Sequence, residues 1–112
     1  MATMFREFGI DNPRDRYNMA NSPAGGRLSD YVGQRLHVAA WLYVTSTNEE
    51  TGETTRKLVV KTPEGEVIGT TSGAFIQGFM DFITLTESDD VGEFEVAQKV
   101  SKSGRKYCVF KA

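Results

Sequence analysis

Cysteine, histidine and tryptophan each occur once in these 112 residues, and proline three times. A lone cysteine, Cys108, excludes an intrachain disulfide and any zinc site built from several thiolates. A lone histidine leaves a nucleophilic triad only one pairing, His37 with Cys108, and neither residue carries a local catalytic signature. No catalytic residue is therefore expected. No run of about 18 apolar residues is present to span a bilayer, and the N-terminal MATMFREFGIDNPRD lacks the apolar stretch of a signal peptide. A cytoplasmic protein with no membrane partner is the expectation.

Metal-ligating clusters are equally scarce. Glu49, Glu50 and Glu53, and Asp89 and Asp90, fall in presumed loops without the spacing of a calcium loop. The segment GTTSG at 69–73 lacks the lysine of a phosphate-cradling loop. Neither a metal nor a cofactor is expected.

Net charge is −2, which argues against a nucleic-acid binder until its distribution is considered. Residues 47–95 carry three basic and eleven acidic side chains, whereas residues 96–112 carry five basic and none acidic. The positive charge is concentrated in the last segments. A solvated charged edge would give the same count.

Residues 1–27 contain Asn12-Pro13, Ser22-Pro23 and Gly25-Gly26 without a sustained period, and read as a flexible N-terminal arm. Phe5, Phe8, Ile10 and Tyr17 give that arm material to dock on a partner or a second copy, so a homo-oligomer formed through it is one expectation. Residues 28–112 read as the folded domain. From Arg35 to Ser46 the residues alternate, with Leu36, Val38, Ala40, Leu42 and Val44 on one face and Arg35, His37, Trp41 and Tyr43 on the other. TRKLVVKT is its hairpin partner, and Pro63-Glu64-Gly65 turns the chain into a third strand, EVIGTT. Phe75, Ile76, Phe79, Met80 and Ile83 then recur at spacings of three and four, which predicts a helix over 73–84. Two further strands follow, joined by the SKSGR loop at 101–105. The expected class is all-β with one short helix. Three strands, a helix and two strands is the element order of the five-stranded OB-fold barrel.

A barrel of this size fills its interior with the aliphatic set, which leaves Trp41 and Tyr43 outside, unless a bulge in the long strand exchanges its faces and makes Trp41 a core residue. Exposed rings beside cations suit single-stranded nucleic acid, whose bases stack on aromatics while lysine and arginine track the phosphates. The candidate DNA-binding set is Arg35, His37, Trp41, Tyr43, Lys57, Lys61, Lys102, Arg105, Lys106 and Tyr107. Tyr107 lies on a strand neither of whose faces is clearly inward. The motifs LSDYVGQRLHV, TTSGAF before FIQGFMDFI, and SKSGRKYCVF resemble, in order and spacing, the single-stranded DNA-binding proteins of bacteriophages and mobile elements of Gram-positive bacteria. That resemblance covers about residues 28–112 and implies an OB-fold that coats single strands during replication or transfer. Many such proteins end in an acidic tail that recruits partners, whereas this chain ends VFKA. RNA binding by the same face, and an OB-fold protein-interaction module, are the alternatives.

Overall fold

The longest ladder in the molecule joins two eight-residue strands across a turn closed by the Gly52 N–H donating to the Asn48 carbonyl at 2.7 Å. A computed structural model describes residues 2–21 and 26–112. Along it run β1 (Ala2–Phe8), α1 (Pro13–Asn21), β2 (Gly26–Arg27), a 3-10 turn (Leu28–Tyr31), β3 (Arg35–His37), β4 (Ala40–Thr47), β5 (Thr54–Lys61), β6 (Val67–Thr70), α2 (Gly73–Thr86), β7 (Glu93–Val100) and β8 (Lys106–Lys111). The described residues are mostly β with two helices. One sheet has the order β1-β4-β5-β6-β2 and the other β3-β7-β8. All pairings are antiparallel except β2 with β6. Among the described residues no pairing joins β6 to β8, so the expected five strands and one helix are corrected to eight strands in two sheets with two helices, and no closed barrel forms.

The expected single strand from Arg35 to Ser46 is also corrected. It breaks at Val38 and Ala39, where the Val38 N–H donates to the Gly92 carbonyl beside β7 and the Ala39 N–H to the Lys61 carbonyl on β5, both at 2.9 Å. The backbone thus changes sheets between two residues. The same step shifts the alternation by one, so that Leu36 and Val38 face inward before it and Trp41 after it. Close approach of another segment fixes the place: a Cβ on Gly9, whose φ is +75°, would lie 2.4 Å from the Ala39 carbonyl oxygen.

The arm expected at 1–27 is corrected over Ala2–Asn21. Here β1 pairs with β4 from Ala2 opposite Thr47 to Phe8 opposite Trp41, and α1 lays Met19 against Leu42 and Val59. Arg16 donates to Glu7 through Nε at 2.6 Å and through Nη2, tying α1 to β1. That donation holds the Glu7 carboxyl below its ordinary range. Ser22, Pro23 and Gly25 lie outside the described residues.

Between the sheets α2 buries Phe75, Ile76, Phe79 and Ile83, one stripe of a helix whose position agrees with the predicted 73–84. Its Gly78 has a reason: a Cβ there would stand 3.1 Å from the Cβ of Phe110 on β8. Phe75, Phe79, Phe94 and Phe110 form an aromatic centre in which Phe75 and Phe79 each meet Phe94 and Phe110 edge-on, and Trp41 meets Phe79 at 5.6 Å and 78°. Among the described residues no helix is long and apolar enough to cross a membrane.

Candidate nucleic-acid interface

The β7–β8 hairpin is a locally determined turn. The Ser101 N–H donates to the Arg105 carbonyl at 2.8 Å, the Gly104 N–H to the Ser101 carbonyl at 2.9 Å, and the Arg105 N–H to Ser101 Oγ at 3.2 Å. Gly104 takes φ +84°, a conformation that costs a side-chain-bearing residue and suits glycine. This turn holds Lys102, Arg105 and Lys106 in solvent. Two residues below it Lys99 stands directly opposite Tyr107 on the outer face of the sheet. Among the described residues none of Lys99, Lys102, Arg105 and Lys106 forms an ion pair.

Beside this cationic hairpin lies the gap between β6 and β8. It is a cleft of about 430 Å³ with Lys106, Tyr107 and Cys108 on one wall and Ser29, Gly69, Thr70, Thr71 and Ser72 on the other. One wall carries hydroxyls, which offer both donors and acceptors. The other carries a half-buried phenol ring and an ammonium. Cys108 forms part of the floor, and burial pushes its thiol pKa up, which makes it a poor nucleophile. His37 faces outward from β3 while Cys108 faces inward from β8, so these two residues are separated by the sheet.

The remaining candidates do not assemble as the sequence suggested. Trp41, expected on an exposed platform, is sealed in the core, with its Nε1 donating to the Asp89 carbonyl at 2.7 Å. Tyr43 faces the same way and is half-buried. The Arg56 guanidinium lies 5.5 Å from its ring centroid, and Arg56 Nε donates to its hydroxyl at 3.0 Å. Lys57 and Lys61 were expected beside these rings, yet the register puts Lys57 opposite Val44 and Lys61 opposite Ala40, on the reverse face of the sheet. There α1 covers them: Lys57 Nζ donates to the Ala20 carbonyl at 3.0 Å, and Lys61 borders a hollow with Asp15 and Asn18. Arg35 and His37 are exposed but lie 3.2 Å and 3.6 Å from the two oxygens of Glu93. The Arg35 charge is already answered by that carboxylate.

Two residues were missed. Arg56 links Tyr43 to Gln77 on α2 and borders a second hollow with Thr54, Thr55, Thr71 and Gly73. Lys99 was passed over although the alternation of β7 against β8 could have placed it beside Tyr107. Among the described residues no group of three or more histidine, cysteine or acidic side chains is arranged to hold a metal ion. No protein-family model, no curated protein and no solved structure matches this chain.

Proposed function

We propose that this chain binds single-stranded DNA without sequence preference, coating strands exposed during replication or transfer of phage or plasmid DNA, and that its binding surface is the β7–β8 hairpin with the adjoining cleft. The observation that carries this reading is the group of four cations without ion pairs among the described residues, Lys99, Lys102, Arg105 and Lys106, on the hairpin that also carries Tyr107 at the cleft's rim. Phosphates need such unpaired cations, and a base needs a ring face beside them. Cations already held by carboxylates gain little from a phosphate.

The connectivity supports an OB-fold reading. If β3 and β4 are taken as one bent strand, it pairs with β5 on one side and β7 on the other, β5 continues to β6, and β7 continues to β8. That order would fit the meander, helix and hairpin of a partly open five-stranded barrel, with its opening between β6 and β8. β1 and α1 are then additions to the unit. Base stacking tolerates either sugar, so RNA is the competing ligand.

Fluorescence anisotropy with labelled oligo-dT at low salt, competed by duplex DNA and by a matched RNA oligomer, tests the proposal. Displacement by unlabelled single-stranded DNA and weak displacement by duplex is the expected result. No binding at low salt overturns it, and preferential displacement by RNA reassigns the ligand.

A further inference from the structure

The outer edge of β1 ends its sheet, and among the described residues no strand pairs with it. A seven-residue edge with open backbone donors and acceptors is a template for another strand, and folded proteins ordinarily blunt such an edge with free charges or proline. Here the blunting is absent. β1 has no proline, and its two charged side chains are both engaged within the chain, Arg6 with Asp89 at 2.7 Å and Glu7 with Arg16. What it presents instead are Met4 and Phe5, 72% and 53% exposed, on opposite faces of the sheet.

The geometry points to a two-fold dimer in which β1 pairs antiparallel with β1 of a second copy of this chain, with Phe5 on the axis. A closed pair of identical strands must be self-complementary. Only one antiparallel register overlaps all of Ala2–Phe8 with itself, and its centre is Phe5. In that register Phe5 faces Phe5 of the partner subunit, Met4 faces the partner's Arg6, and Thr3 faces the partner's Glu7. Aromatic meets aromatic, and no charge carried by β1 meets its like. A slip of one residue would put the two copies' equivalent faces on opposite sides of the joined sheet, which a two-fold pair cannot do. A slip of two toward the C-terminal end would bring Arg6 against the partner's Arg6. The far end of the same sheet is β2, only two residues long, so the assembly closes as a dimer with little edge left for further growth. This inference stands apart from the DNA-binding proposal, because the hairpin that carries that proposal belongs to the other sheet.

Sedimentation of the full chain without nucleic acid should give twice the chain mass, and Phe5→Lys, which sets two ammonium groups on the axis, should weaken the dimer by roughly tenfold or more. A melting curve checks that F5K still folds. Cross-linking supplies the register independently of F5K. In a Cys108→Ala background, F5C should form a covalent dimer on mild oxidation, because directly opposed residues hold their Cβ atoms about 4.5–5.5 Å apart. T3C alone and E7C alone should not, while a mixture of T3C and E7C should. A monomer at every concentration, larger assemblies, or T3C cross-linking as fast as F5C would overturn the inference.

Discussion

Removing the hairpin cations should change the salt dependence of DNA binding in steps that can be counted. Each phosphate neutralised on a single strand contributes about 0.7 to the slope of log affinity against log salt. Four contacts, one each from Lys99, Lys102, Arg105 and Lys106, give a slope of roughly −3, so that raising salt from about 50 to about 200 mM weakens binding roughly fiftyfold. The triple substitution Lys102→Ala, Arg105→Ala, Lys106→Ala leaves one contact, a slope of about −0.7 and a loss of only about threefold over the same range. All three side chains are exposed on the turn, so stability should move by no more than about 0.5 kcal/mol per site. Arg35→Ala is the contrasting variant. Its guanidinium is already 3.2 Å from Glu93, and exchanging a carboxylate for a phosphate releases less counterion than engaging a free cation. Its slope should fall by clearly less than that of Arg105→Ala. Anisotropy titrations of labelled oligo-dT at several salt concentrations, beside urea melts of each variant, measure both quantities. An unchanged slope in the triple variant would refute the assignment, whatever happened to the absolute affinity.

Trp41→Ala should cost about 3–5 kcal/mol of stability in urea unfolding, since it empties a fully buried site and leaves the Asp89 carbonyl without its donor; a variant of full stability that loses DNA binding would contradict the burial argument. Tyr107→Ala should lose about 1–3 kcal/mol of binding to oligo-dT while Tyr107→Phe retains most of it, because stacking needs the ring and not the hydroxyl. Equal loss in both variants would point away from stacking. The Glu7 carboxyl is depressed by Arg16, so its contribution to stability is present above the ordinary glutamate range and disappears as pH falls through the folded value. Thermal melts should therefore find Glu7→Gln less stable than the parent near neutrality and the two converging in acid; a gap that persists at low pH would show that the hydrogen bonds from Arg16 are not its source.

The helix Gly73–Thr86 and the hairpin at 101–105 were legible because each is determined locally, by apolar residues on one helical face and by a glycine and serine that close a turn. The break at Val38 and Ala39 was not. Ala39 and Ala40 are small and apolar, so the alternation passes through them unmarked, and the partners that split the strand, Gly92 and Lys61, lie far along the chain. That omission carried through to the site. With the faces exchanged, Trp41 moved inside and Lys57 and Lys61 moved to the side opposite Tyr43. β1 was illegible for another reason: Met4, Phe5 and Arg6 are all exposed, so neither face of ATMFREF reads as buried, and an edge strand needs no such face when its ladder with β4 supplies the pairing.

Charge decides where the surface can work, and it does so locally. The chain is acidic overall, yet fields in solution fade over a Debye length of about 8–10 Å near physiological salt, so a phosphate at the hairpin responds to its neighbours and not to the net charge. On β3 Arg35 lies beside Glu93, and on β5 Lys57 donates to the Ala20 carbonyl and Arg56 to Tyr43 and Gln77, so these cations are engaged within the fold. On the hairpin no acidic side chain follows Glu95, and of its cations Lys111 alone, 3.8 Å from that residue, is paired among the described residues. An acidic protein can in this way keep one basic edge available to a flexible single strand, which bends to reach four cations on a small turn. A stiff duplex, whose phosphates cannot rearrange to meet them, would engage fewer and be repelled by the acidic remainder at low salt.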